Sequence, residues 1–286
     1  MLKNEAKVAA KNENKIQGWK YYNHALIPTC APHEMPDLFP LHNGNIWNNR
    51  KVLLVQYTTD FDCKYETSFW YVVKDAPFEL GALDRKYLKN IKRALGRCEA
   101  RKIVPTEYGE EIWDVFQAAY QSYEGTNHKQ DKDLFIKGLQ HTNLEYWGAF
   151  NRETGRMAGW MSCRNEGDCT ITVSAKYHPD LQGYNRPSDV LHYAVLNYYL
   201  NECHQRYVCS GSRNINHRTH AQEYKINNWK FRKAYCTLHL IIRPGFKWIV
   251  NMVYPLRRCL RLLDNIVLIH QLNSFLLLYQ FSKEGK

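Results

Sequence analysis

Residues 144–177, LEYWGAFNRETGRMAGWMSCRNEGDCTITVSAKY, carry the clearest structural signal in the chain. Three runs rich in aromatic and β-branched residues, Leu144–Phe150, Arg156–Arg164 and Cys169–Tyr177, are separated by Arg152-Glu-Thr-Gly155 and Asn165-Glu-Gly-Asp168. Both connections have turn composition, so the stretch reads as an antiparallel meander. In the third strand Ile171, Val173 and Ala175 alternate with Thr170, Thr172 and Ser174, which predicts one buried and one polar face.

Downstream, Pro179-Asp-Leu-Gln-Gly-Tyr-Asn-Arg-Pro187 reads as a loop. Ser188 then opens a helix with Leu191, Ala194, Val195 and Tyr198 at helical spacing. A short strand, Arg206–Ser210, leads through Gly211-Ser-Arg-Asn214 to a helix at about 217–227. Two closing strands follow, Phe231–Cys236 and Leu238–Arg243. Upstream, helices at 109–123 and 131–141 precede the meander, so residues 105–243 run ααβββαβαββ. Earlier still, Lys51–Thr58 and Ser68–Lys74 read as strands, and a helix from about Leu83 to Arg101 sets an apolar stripe against Arg85, Lys89, Lys92, Arg93 and Arg97. That basic face is either solvated or a phosphate or nucleic-acid contact.

Composition narrows the function classes. With 286 residues, 44% apolar and 23% charged, the chain can bury a sizeable core and is not disordered. The +11 net charge falls entirely within residues 206–286, so an anionic partner is expected there: a phosphate-bearing cofactor, a nucleic acid or a membrane surface. The polar start, MLKNEAKVAAKNENK, has no secretory core, and nine scattered cysteines read as reduced thiols, so a cytoplasmic location is expected. No CxxC occurs, and the spacings Cys163/Cys169 and Cys203-His204/Cys209 have no matching second pair, so no metal is expected.

The element order over 105–243 resembles the GNAT fold of N-acyltransferases, an α/β fold with a mixed sheet. Residues 211–236 are similar in layout too, with an Asn after the strand and Lys230-Phe231 opening the next one. The strand pair and basic helix before residue 105 look similar to the first lobe of the Fem-type subgroup, which transfers aminoacyl or acyl groups in cell-wall and surface-polysaccharide pathways. This division implies a polar segment 1–15, a β-rich lobe 16–104, an acyltransferase domain 105–245 and a helical tail 246–286.

The resemblance implies acyl-coenzyme A as co-substrate, its arm along an exposed strand edge and its pyrophosphate at a helix N-terminus. The candidate cofactor-binding positions are Ser174 and Tyr177 on the strand, Gln182, Gly183, Tyr184, Asn185 and Arg186 in the loop, and Ser188 at the helix start, with Gln182 kept from the family's loop motif. Asn185 and Pro187 stand where the family has glycine and a small residue, and Pro187 brings no N–H; the stretch also reads as a plain connection with an N-cap. The family's acid tyrosine position is Ile226 here, with Tyr224 two residues earlier. Its strand glutamate is absent from Cys169–Tyr177. The remaining polar cluster offers His217, Ser212 and Tyr224 as catalytic candidates and Arg213, Asn214 and His220 as acceptor contacts. His217 and His220 share a helix face at i, i+3, where they serve as base or simply as surface residues beside an N-cap.

The expected reaction moves an acyl group to an amine or hydroxyl of a small molecule, sugar nucleotide or glycan precursor. Alternatives are an aminoacyl-tRNA donor, a non-catalytic binder, and a nucleic-acid binder using Trp229 and Trp248 for stacking. In the tail, Leu256, Leu260, Leu263 and Val267 share a face flanked by Arg257, Arg258 and Arg261. A basic amphipathic helix over 255–263 follows, packed on the protein itself or lying on an anionic membrane.

Overall fold

The computed structural model describes residues 16–42, 45–122, 130–215 and 220–284. The polar segment 1–15 lies outside them. In chain order the main elements begin with β1 (Trp19–Tyr22), β2 (Ala25–Pro28), β3 (Leu54–Thr59), β4 (Phe69–Asp75), α1 (Arg85–Arg97) and β5 (Cys98–Ile103). Then come α2 (Gly109–Gln121), α3 (Lys132–Gln140), the meander β6 (Glu145–Asn151), β7 (Met157–Glu166) and β8 (Cys169–Tyr177), α4 (Pro179–Asn185) and α5 (Pro187–Leu196). The last are β9 (Tyr207–Ser212), α6 (Ala221–Trp229), β10 (Arg232–Ile242), α7 (Pro244–Val253), α8 (Arg257–Leu260) and α9 (Val267–Glu284).

Contacts divide the chain into two compact units that do not follow chain order. One holds residues up to Tyr71, Ser212–Thr219 and Lys233–Lys286; the other holds Val72–Gly211 and His220–Arg232. In the first, β1 and β2 form a hairpin whose Asn23 and His24 take left-handed backbone, as a two-residue turn requires. Strand β2 runs parallel to β3, and β3 pairs antiparallel with β10. Helices α7 and α9 pack Val250, Leu276 and Tyr279 against Ile242.

In the second unit β5, β6, β7 and β8 are antiparallel neighbours, and β9 joins β8 in parallel. The meander turns fall where the sequence places them. Asn151 Oδ1 accepts from the Glu153 and Thr154 amides, and Gly155 (φ 69°) and Gly167 (φ 61°) supply the left-handed positions. Adjacent strand residues point to opposite faces, so Tyr146 packs with Ile112, Val115 and Leu139 of α2 and α3, while Trp147 meets Tyr198 and Tyr199 in the wide π turn after α5. The sheet is therefore covered on both faces.

Four expectations are corrected. The basic helix stops at Arg97, because residues 98–103 pair with β6 from Cys98↔Asn151 to Ile103↔Tyr146 and become a strand. The stretch after β8 is mostly helical: Pro179 starts α4 at a position where its missing N–H costs nothing, and Arg186 ends it in left-handed backbone (φ 47°, ψ 53°). The expected closing hairpin is a single strand, since 236–238 holds no turn residue and pairing with β3 continues from Thr237↔Thr59 to Ile242↔Leu54. The expected tail helix is broken into short turns around α8 by Pro255 and by the caps at Arg261 and Asp264. Among the described residues no helix is long and apolar enough to cross a membrane.

Candidate active site

The parallel pairing of β8 with β9 covers only Cys169↔Tyr207, Thr170↔Val208 and Ile171↔Cys209. Beyond that point β8 continues to Tyr177 and β9 to Ser212 without further pairing to each other, so the two strands fork while β8 stays paired with β7. At the crotch Thr172 Oγ1 lies 3.3 Å from the Cys209 carbonyl and 3.4 Å from Ser210 Oγ. A fork of this kind leaves backbone donors and acceptors of β8 without a neighbouring strand, available to an extended ligand.

Lys225 of α6 reaches this crotch and donates from Nζ to Ser210 Oγ. Its ammonium is desolvated, and among the described residues no carboxylate pairs with it. Burial lowers its pKa to about 8, with only a partial offset from Cys209 and Cys163. Roughly a fifth of such an amine is neutral near pH 7.4, which makes Lys225 a proton acceptor at physiological pH. Burial pushes the Cys163 and Cys209 thiols up to about 12, so they stay protonated and are poor nucleophiles.

His192 of α5 lies beside this group. Its ring stacks on Trp229 (centroids 5.5 Å, 25°), its Nδ1 is 2.6 Å from the Ser188 carbonyl, and its Nε2 has no partner among the described residues. Burial, then the Lys225 charge, lowers its pKa to about 4, so the ring is neutral.

A second polar cluster fills the N-terminus of α5. The Asp189 carboxylate, 2% exposed, pairs with Arg186 Nε and accepts from the Tyr224 hydroxyl and, at 2.5 Å, from the Tyr87 hydroxyl. The two hydroxyls are 2.6 Å apart, and Ser188 Oγ is 3.4 Å from that of Tyr224. Burial, then their mutual interaction, drives the Tyr87 phenol far above its ordinary range, and burial together with Asp189 raises Tyr224 as well. Pro187 has no N–H and the Asp189 amide donates to the Arg186 carbonyl (2.9 Å), so the first turn keeps little donor capacity for an external anion. Pro187 is buried; a Cβ on Gly159 would sit 3.2 Å from its Cβ and 2.9 Å from Tyr177, so the glycine lets the start of α5 settle on β7.

The residues singled out from sequence distribute unevenly. Tyr224, Arg186 and Ser188 belong to the Asp189 cluster. Asn185 is buried and spent on Asn151 Nδ2 (2.7 Å) and the Leu181 carbonyl (3.1 Å). Gln182, Gly183 and Tyr184 are exposed on α4, with the Arg97 guanidinium 4.1 Å over the Tyr184 ring. Ser174 and Tyr177 lie on β8 beyond the fork point. Ser212, Arg213 and Asn214 belong to the other compact unit, where Arg213 donates to the Ser68 carbonyl (2.6 Å) and lies 4.1 Å over Phe281. His217 lies outside the described residues, and His220 is an exposed residue that begins α6. Trp229 is 0% exposed, which removes it as a base-stacking platform.

Lys225, Ser210, Asp189 and Tyr87 were not anticipated. The sequence signal for Asp189 was an acid in a helix first turn; Lys225 had none. Glu145 on β6 is a strand carboxylate, but it is held by Lys102 (2.8 Å) and Tyr199. Burial works to raise it, and these hydrogen bonds bring it below the usual range. On the α2 face an open cleft of about 490 Å³ is lined by Glu111, Asp114, Arg156 and His178.

The chain as a whole is similar to solved structures. FemX superposes with a TM-score of 0.51 at 8% identity, over 87% of this chain and 77% of FemX. The fold is GNAT-like. L-PGS from Bacillus licheniformis gives 0.49 at 11% identity over 79% of each chain, and a GCN5-related N-acetyltransferase from Sphaerobacter thermophilus gives 0.42 at 11% over 79% of this chain and 76% of that one. No protein-family model and no curated protein sequence matches the chain.

Proposed function

We propose that this protein is an acyltransferase that moves an aminoacyl group from an ester donor of the aminoacyl-tRNA class to a primary amine. The observation that carries the reading is the fork with Lys225 at its crotch. An extended acyl arm hydrogen-bonds along the free edge of β8, neutral Lys225 takes the proton the attacking amine gives up, and the Ser210 hydroxyl donates to the oxyanion that forms on the carbonyl. Collapse of that tetrahedral species expels the donor's alkoxide, which takes up a proton, and leaves an amide.

The donor class follows from the entrance. Coenzyme A presents a pyrophosphate, and the N-terminus of α5 meets it with a buried carboxylate, a proline and few free amides. Helix α1, which sends Tyr87 into the Asp189 cluster, instead exposes Arg85, Lys86, Lys89, Lys92, Arg93 and Arg97 and carries no acid. A cationic stripe of that kind suits a polyanionic carrier. The second reading keeps acyl-coenzyme A as donor with Arg186, about a third exposed, as its phosphate contact. The acceptor class is an amine on a small molecule or glycan precursor.

The test supplies the purified chain with charged total tRNA or with acetyl-coenzyme A, plus a panel of primary amines, and reads amide products by mass spectrometry. Product from charged tRNA alone, lost in Lys225→Met, is expected. Product from acetyl-coenzyme A alone would transfer the assignment to the second reading. No product from either donor, in a folded sample, would leave a binding protein on a transferase fold.

A further inference from the structure

Among the described residues, the most exposed apolar side chains concentrate in the C-terminal helices, away from any residue of the proposed chemistry in sequence. Helix α7 turns Phe246, Val250 and Val253 inward against Ile242, Leu276 and Tyr279. Its opposite face is apolar as well: Trp248 is 67% exposed, Ile249 49% and Met252 57%. A surface helix ordinarily presents polar residues outward, and here only Lys247 and Asn251 interrupt the exposed apolar side chains, so the outer face implies a second apolar environment. The pattern continues past α8, where Leu262 is 85% exposed and Val267 and Leu268 74% each.

Charge decides the kind of environment. Residues 244–268 contain Lys247, Arg257, Arg258 and Arg261 against one acid, Asp264. That acid is already engaged by His270 Nδ1 (2.9 Å) and Asn273 Nδ2 (2.8 Å). Arg258 and Arg261 are exposed among the bare leucines. Short helical turns that bring together exposed leucine, tryptophan and arginine, with no free acid, match the interface of a bilayer with anionic headgroups: aliphatic side chains enter the acyl boundary and guanidinium groups stay at the phosphates.

We propose that residues 248–268 form a peripheral docking surface for an anionic lipid bilayer. This differs from the amphipathic helix expected over 255–263: the apolar contribution comes from the outer face of α7 and from 262–268, and Arg258 of α8 and Arg261 in the turn after it supply the cations between them in the chain. The inference does not depend on the transferase reading.

The experiment is co-sedimentation of the full chain with phosphatidylcholine vesicles, with and without about 30% phosphatidylglycerol. Two double variants, Leu262→Asp/Val267→Asp and Arg258→Ala/Arg261→Ala, alter exposed side chains and are checked for unchanged melting. The wild type is expected to pellet with the anionic vesicles at low salt and to be released by high salt. Its partition should fall about tenfold in the aspartate variant and several-fold in the alanine variant. A wild type that stays in solution with anionic vesicles, or binding that neither variant weakens, overturns the proposal. Light scattering that finds a dimer dissolved by the aspartate variant, without vesicle binding, overturns it in favour of a second copy of the chain.

Discussion

Tyr224 and Lys225 are neighbours on α6, yet their side chains end in opposite kinds of polar environment. Tyr224 joins a closed network in which the Asp189 carboxylate is matched by a guanidinium and two phenols. Lys225 ends at a crotch with one hydroxyl partner, beside two neutral thiols and a histidine whose Nε2 is unpartnered among the described residues. A buried charge that is fully paired supports structure. One that is desolvated and unpaired costs stability, persists where it serves chemistry, and titrates near neutral pH. The difference separates the two groups: Asp189 holds the start of α5, and Lys225 is the group to which the proposed reaction gives the proton.

The largest effect should come from breaking the open side. Lys225→Met, which fills the space without a base, is expected to lower the single-turnover transfer rate by 10²–10⁴-fold. Urea unfolding near pH 7 should show it no less stable than the wild type, because an unpaired buried ammonium is gone. The wild-type rate should rise with pH and level off above about 8, where Lys225 is neutral. A rate that ignores both the substitution and the pH would remove the fork from the chemistry. Breaking the closed side should instead cost stability. Asp189→Ala strands Arg186, the buried Tyr87 phenol and the half-buried Tyr224 phenol, and a loss of about 3–5 kcal/mol in urea unfolding is expected.

The same contrast explains what was legible in the sequence. The meander announces itself because Gly155 and Gly167 stand at positions that need left-handed backbone and because alternation is a local property. Strand β5 does not: residues 98–103 continue a helical pattern, and only pairing with β6 makes them extended. Lys225 illustrates the limit for the site. Its low pKa is created by burial at a crotch that the sheet assembles, against a partial offset from Cys209 of β9 and Cys163 of β7, whereas α6 itself reads as a polar helix. Histidines drew attention as candidate bases because they titrate near neutrality unaided, while a lysine needs tertiary burial to do so.

His192 sharpens the comparison on a smaller scale. Its pKa in the folded chain, about 4, lies below the ordinary value of 6.5, so the unfolded state takes up a proton first as pH falls. The stability contributed by this group is complete above pH 6.5 and is lost on acidification towards 4, by up to about 3 kcal/mol. Urea midpoints measured between pH 7 and 4 for wild type and His192→Phe should diverge in slope over this window. Parallel curves would mean that the ring is charged or solvated.

The smallest effect tests how the closed network is held in place. Arg186 bridges α4 and α5 in left-handed backbone, which a non-glycine residue adopts at a cost of about 1 kcal/mol. Both Arg186→Ala and Arg186→Gly remove the guanidinium from Asp189 and should destabilise the protein. Only the glycine relieves the backbone. The variants lose the same ion pair, so their difference isolates the conformational contribution, and Arg186→Gly should be the more stable by about 1 kcal/mol, less the entropy glycine adds to the unfolded chain. If Arg186→Gly is instead the less stable of the two, as the unfolded-state entropy of glycine alone would make it, the turn has relaxed once the guanidinium left, and the Arg186–Asp189 pair is what keeps the backbone left-handed there. The expected order would mean that Pro187, seated against Gly159, fixes the turn on its own and that the ion pair only neutralises the carboxylate behind it.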